Sequence, residues 1–175
     1  MNPEPDLSFA TSESGEGLLD GTGNLARAKW LEARLRRKNH YLFQDGAFSR
    51  LLFSEILECF LAGRDIATIV LGFSFVERSV AGRLSHAGQP RVTELSSEKL
   101  LDCALQRNWI SVEEHQNLND IRRLRNPIVH FKEHLNTSRP EIRLLLSART
   151  TTEMLQRDAK HVLEAAIRVL SKTAL

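Results

Sequence analysis

With 175 residues, 42% of them hydrophobic and 26% charged, the chain is long enough for one domain with a real core and short for two, and its composition excludes a wholly disordered or membrane-embedded protein. The formal net charge of +2 hides an asymmetry. Residues 1–23 carry Glu4, Asp6, Glu13, Glu16 and Asp20 and no Lys or Arg, so the remainder holds 24 positive charges against 22 − 5 = 17 negative ones, or +7, which permits a polyanionic partner and also serves solubility.

The first 23 residues, rich in Gly, Ser, Thr and acids, have too little apolar content to bury and read as a disordered acidic tail. A basic amphipathic helix is expected over 24–44, with Asn24 as its N-cap and Leu25, Ala28, Leu31 and Leu35 at helical spacing. Arg27, Lys29, Arg34, Arg36, Arg37 and Lys38 lie between them and form either a solvated face of snorkelling cations or a surface for RNA or a partner.

The remaining residues, 45–175, read as an antiparallel helical bundle, all-α in class. Asp45 can cap a second helix whose Phe48, Leu51, Leu52, Phe53, Ile56, Phe60 and Leu61 face inward, and Gly63 can end it. Asp65 then caps a helix over Ile66–Leu84 that is apolar nearly all round, as the centre of a bundle must be. Its most apolar part, Ile66–Val76, is too short for the roughly 20 residues a membrane span needs, and the N-terminus lacks a basic region followed by an apolar one, so a soluble cytoplasmic protein is expected. Cys59 and Cys103, among apolar residues and without C-x-x-C spacing, fit reduced core thiols of that compartment.

Residues His86–Pro90 read as a loop, and Ser96 or Ser97 starts a helix through Leu100, Leu101, Ala104 and Leu105. Ser111 and Glu114 form a capping box that opens a helix through Leu118, Ile121 and Leu124. A loop with a short element at Ile142–Leu146 follows. A second capping box, Thr150 with Glu153, opens a last helix whose Leu155, Ala159, Val162, Ala166, Val169 and Leu170 face inward. Ile69, Phe73, Val76, Leu124 and Leu163 are the expected core.

Chemistry concentrates in Arg125-Asn126-Pro127-Ile128-Val129-His130. A guanidinium is permanently charged and holds phosphate oxygens with a planar fork; an imidazole takes and returns a proton near neutral pH. Five residues on a regular helix would set Arg125 and His130 roughly 140° apart. Pro127 either kinks the helix or, with Asn126 as a new N-cap, restarts it and swings both side chains to one side. His130 and His134 are four apart, but with no Glu in H-E-x-x-H order and no third ligand in view they make a poor zinc site.

The spelling Arg-Asn-x-x-x-His resembles the R-x4-6-H signature of HEPN domains, a small all-helical family with many metal-independent ribonucleases. The resemblance extends from about residue 45 onward, through Glu77 on the apolar helix, the polar approach Leu118–Leu124 and the closing helix near Leu163–Ala166. It implies that Arg125 binds the scissile phosphate, Asn126 orients the site, His130 serves as general acid or base, and Glu77 faces the motif in support. Arg122, Arg123, Lys132, Arg34, Arg37 and Lys38 are the candidate RNA contacts. No metal and no cofactor are called for. The implied partners are RNA, a second copy of the chain completing a composite site, and an antitoxin or other regulatory protein, as in toxin–antitoxin or phage-defence systems; a membrane is not among them. Where some HEPN toxins carry a modifiable Tyr two residues after the motif His, this chain has Lys132, which puts that form of control in doubt. A catalytically silent bundle that binds a protein, nucleotide or RNA is the alternative.

Overall fold

A computed structural model describes residues 21–35, 43, 46–130, 140–147 and 150–172. Among them are seven α-helices and no strand: α1 (Gly21–Leu35), α2 (Gly46–Leu61), α3 (Asp65–His86), α4 (Ser97–Gln106), α5 (Val112–Val129), α6 (Pro140–Leu145) and α7 (Thr151–Ser171), with a single 3-10 turn at Val92–Glu94. The all-α bundle expected from the sequence is what forms.

Helix α3 is the centre. It packs on α2, α4, α5 and α7, and its Ile69, Phe73, Phe75, Val76 and Leu84 are fully buried. Gly72 sets the closest approach to α7, because a Cβ there would stand 2.7 Å from Cγ1 of Val162. The α3–α7 contact therefore depends on the missing side chain. From α7, Ala159, Val162, Leu163 and Ala166 complete the core, with Ile56 and Phe60 from α2 and Ile121 from α5.

Local signals set most helix ends. Both capping boxes are present, Ser111 with Glu114 at α5 and Thr150 with Glu153 at α7; Ser96 caps α4 by accepting from the Lys99 N–H. Helix α2 closes as read: Gly63 takes φ +72°, its N–H donates to the Phe60 carbonyl at 3.1 Å, and the Arg64 N–H donates to Cys59 at 2.8 Å, the paired bonds of a left-handed C-terminal cap. Asn108 does the same for α4 at φ 57°. Cys59 is buried, Cys103 half-buried, and both are free thiols. No helix among the described residues is long and apolar enough to cross a membrane.

Several expectations need correcting. Helix α1 begins at Gly21, so Asn24 lies inside it and caps nothing. Leu25 is 55% exposed, whereas Arg27, read as a solvated cation, is buried. Its Nη1 and Nη2 donate to the two carboxylate oxygens of Asp65 at 2.7 and 3.0 Å, and Nη1 also donates to the Phe60 carbonyl at 3.1 Å. Asp65 is consequently not the N-cap of α3. Arg64 holds that position without a side-chain bond, and Asp65 opens the helix as the partner of Arg27. Phe48 and Leu51 face solvent rather than the core, Phe48 lying under the Arg78 guanidinium at 4.5 Å. Leu124 is half-buried, outside the core. Asp45 and the acidic residues 1–20 lie outside the described residues.

Candidate active site

The motif lies at the C-terminal end of α5, and that helix runs unbroken through Pro127 to Val129. There is no restart: Asn126 sits within the helix, not at an N-cap. Pro127 brings no amide donor, so the Arg123 carbonyl one turn back loses its helical bond there. The backbone turns out of the helix at His130, the C-cap residue, with φ −126° and ψ 132° and its N–H donating to the Asn126 carbonyl at 2.8 Å.

Arg125 projects toward α3, where its guanidinium carbon lies 6.0 Å from the centroid of the Phe73 ring. One turn farther along α3, Glu77 Oε2 stands 4.0 Å from Arg125 Nη2, with both side chains about four-fifths buried. The other Glu77 oxygen accepts from the Ser97 hydroxyl at the start of α4, so three helices converge on this carboxylate. Arg125 Nη1 reaches Asn126 Oδ1 at 3.5 Å, and its buried Nε has no hydrogen-bond partner among the described residues. Both terminal contacts are long. The cation is thus partly desolvated and positioned, yet its fork is not saturated by acceptors among the described residues, the condition in which an incoming oxyanion gains most.

The structure therefore brings Arg125, Asn126 and Glu77 together. His130 is exposed, and its ring makes no hydrogen bond or ion pair with a described residue. Its backbone is five residues beyond Arg125, about 7.5 Å along the helix axis, at the point where the chain leaves the helix. Among the candidate RNA contacts, Arg122 is committed to protein, its Nε donating to Asn119 Oδ1 at 3.1 Å and its Nη2 lying 3.3 Å from Glu98. Among the described residues Arg123 makes only an exposed pair with Asp120 at 3.1 Å. Arg34 stacks 3.8 Å over Trp30 with Glu164 at 3.8 Å from its Nε. Arg37, Lys38, Lys132 and His134 lie outside the described residues. Among the described residues, no cluster of three or more His, Cys, Asp or Glu suits a metal ion.

Sequence reasoning missed the ladder that supports the site. His115 Nε2 meets Asp102 Oδ1 at 2.8 Å, the Asn119 amide donates to the His115 carbonyl at 3.2 Å, and Asn119 in turn holds Arg122. These residues tie α5 to α4 one turn after another and lead into Arg125 and Asn126. The signal was a polar stripe at positions 115, 119, 122 and 126, which follows the helical repeat but competes with the more obvious apolar stripe of the same helix. Behind the motif, Pro127 and Ile128 wall an apolar cavity of about 380 Å³ with Ile66, Pro140, Leu144 and Leu155.

Comparison with protein-family models, curated proteins and solved structures returns no match. The functional reading therefore rests on the residues and their geometry.

Proposed function

We propose that this protein is a metal-independent endoribonuclease of the HEPN kind, acting in a toxin or defence role. The observation that carries the proposal is Arg125: a partly desolvated guanidinium braced by Glu77 and Asn126, its Nε without a partner among the described residues, on the same helix end that presents an exposed imidazole. In the reaction, the 2′-hydroxyl of RNA attacks the adjacent phosphorus as its proton passes to a general base. The bond to the 5′-oxygen of the next nucleotide breaks as that oxygen takes a proton, leaving a 2′,3′-cyclic phosphate and a 5′-hydroxyl. Arg125 stabilises the charge growing on the phosphoryl oxygens, and His130 supplies or accepts a proton. Because the substrate brings its own nucleophile, the scheme needs no metal, and DNA, which lacks the 2′-hydroxyl, is not a substrate.

One imidazole is thin equipment for two proton transfers, so the active species in this reading is a two-fold dimer in which Arg125 and His130 of both chains line one cleft. The second reading is a silent bundle that binds a protein, nucleotide or RNA. Substitution at Arg125 tests the proposal. Arg125→Ala should weaken both RNA binding and cleavage, and Arg125→Lys should restore charge without the bidentate fork and so rescue only in part. Full activity in Arg125→Ala would refute the assignment.

A further inference from the structure

Beside the motif, a second concave site joins α5, α6 and α7. It is a groove of about 400 Å³ walled by Arg123, Arg143, Arg157 and His161, with Asp120 and Asp158 between them. That volume lies within the range of clefts that hold small ligands. We infer that this groove binds the phosphodiester backbone of the RNA strand outside the scissile position, with Arg157 and Arg123 as its contacting cations. The inference rests on the ribonuclease reading for the identity of the polyanion, and on the groove's own side chains for the site.

The four basic groups are not equivalent. Arg143 is spoken for: its Nη1 and Nη2 donate to Asp158 at 2.7 and 3.0 Å, and because Asp158 is buried this pair is part of how α6 is fixed to α7. His161 Nε2 meets Asn117 Oδ1 at 2.7 Å, so the ring is held against α5. These contacts stiffen the wall. Arg157, exposed and one turn before His161 on α7, has no hydrogen bond or ion pair with a described residue. Among the described residues Arg123 pairs only with Asp120, both side chains more than 60% exposed, an arrangement worth little in water and readily exchanged for a phosphate. The groove thus offers two available guanidinium groups on a rigid frame.

Its position relative to the motif gives the site its use. Leu124 lines the groove, and the next residue, Arg125, faces α3; the two surfaces lie about 100° apart around one turn of α5. A strand whose scissile phosphate sits at the end of α5 reaches the groove about 100° around that helix.

The test is binding of a single-stranded RNA oligonucleotide carrying 2′-O-methyl groups throughout, which the proposed chemistry cannot cut, followed by anisotropy across a salt series. Each phosphate contact on a single strand contributes about 0.7 to the slope of log K against log salt, or about fivefold in affinity at 0.1 M salt. The doubly substituted Arg123→Ala, Arg157→Ala protein should therefore bind about 25-fold more weakly at 0.1 M salt, with a slope shallower by about 1.4. Arg50→Ala, an exposed arginine on α2, which packs on α1 and α3, serves as the control and should stay within about twofold of the parent. A double variant with the parent's affinity and slope, or a parent that binds no RNA, would overturn the groove. Loss of binding in the double variant while His130→Ala still cleaves at the parent rate would uphold the groove and refute the catalytic assignment, so the two failures are distinct.

Discussion

Removing the Arg27 side chain should destabilise the bundle far more than the loss of an ordinary surface cation. Arg27 and Asp65 are each 8% exposed in their side chains, joined by two charge-assisted hydrogen bonds, and Arg27 also satisfies the Phe60 carbonyl and lies 5.0 Å from the centroid of the Phe60 ring. Arg27→Ala leaves a buried carboxylate without its cation and takes one of two donors from the Phe60 carbonyl, which keeps the Gly63 N–H. Breaking a buried pair from one side costs about 3 to 5 kcal/mol, which at about 2 to 4 °C per kcal/mol for a domain of this size is a fall in Tm of roughly 6 to 20 °C. Asp65→Ala should cost a similar amount, since it strands the guanidinium. The double variant should lose much less than the sum, with a coupling of about 2 kcal/mol in a denaturant-based double-mutant cycle. Two single variants that each cost under about 1 kcal/mol and add without coupling would refute the reasoning and detach α1 from the bundle.

Other predictions concern the core and one pH-dependent contact. Phe73→Asp places an unpaired charge at a fully buried position of α3 and should abolish cooperative folding by circular dichroism; a folded variant with the parent's melting temperature would remove α3 from the centre. Gly72→Ala should be destabilising despite a gain of about 1 kcal/mol in helix propensity, because its Cβ would meet Val162 at 2.7 Å and overpacking costs about 1 to 3 kcal/mol; unchanged or raised stability would contradict the packing. At Glu114, burial pushes the carboxyl up, but hydrogen bonds from the Lys172 ammonium and from the Ser111 backbone N–H, with the Lys172 charge and the Ser111 hydroxyl, outweigh it and hold the pKa below the ordinary value of 4.5. A depressed folded-state pKa gives stability that is present above pH 4.5 and is lost as pH falls through the folded value. Glu114→Gln should therefore be less stable than the parent at neutral pH, with the gap closing below pH 4.5; a gap that widens on acidification would reverse the assignment.

The features legible in the sequence were those in which local chemistry agrees with tertiary packing. Ser111 with Glu114, Thr150 with Glu153, and Gly63 after α2 announce helix ends by residue type alone, and the density of apolar residues from Ile66 to Leu84 marks the central helix. Illegible were the places where a distant partner reverses a residue's usual preference. Nothing around Arg27 tells it from Lys29 or Arg34; its burial depends on Asp65, 38 positions away. Asp65 read as a cap because that is the usual work of an Asp before an apolar run, and only the fold reveals a second use. Phe48 and Leu51 sit on the same helix as Phe53 and Ile56, but α2 packs through one face only, so periodicity located the stripe too broadly. At the motif, the residue types pointed to a cation at the helix end, whereas Glu77 was placed facing it by the family resemblance alone; the two side chains lie 4.0 Å apart. How Pro127 would be accommodated was open, because a proline interior to a helix is decided by whether packing on both sides repays the lost hydrogen bond; here Ile128 packs against the core, and the helix continues.

The central claim turns on His130. Purified protein incubated with single-stranded RNA in excess EDTA should yield products ending in a 2′,3′-cyclic phosphate and a 5′-hydroxyl, and should leave DNA intact. His130→Ala, altering an exposed residue beyond the last turn of α5, should keep the melting temperature and most RNA affinity while losing cleavage by about 10² to 10⁴-fold, the usual contribution of a positioned acid or base. Cleavage by His130→Ala at the parent rate would contradict the account.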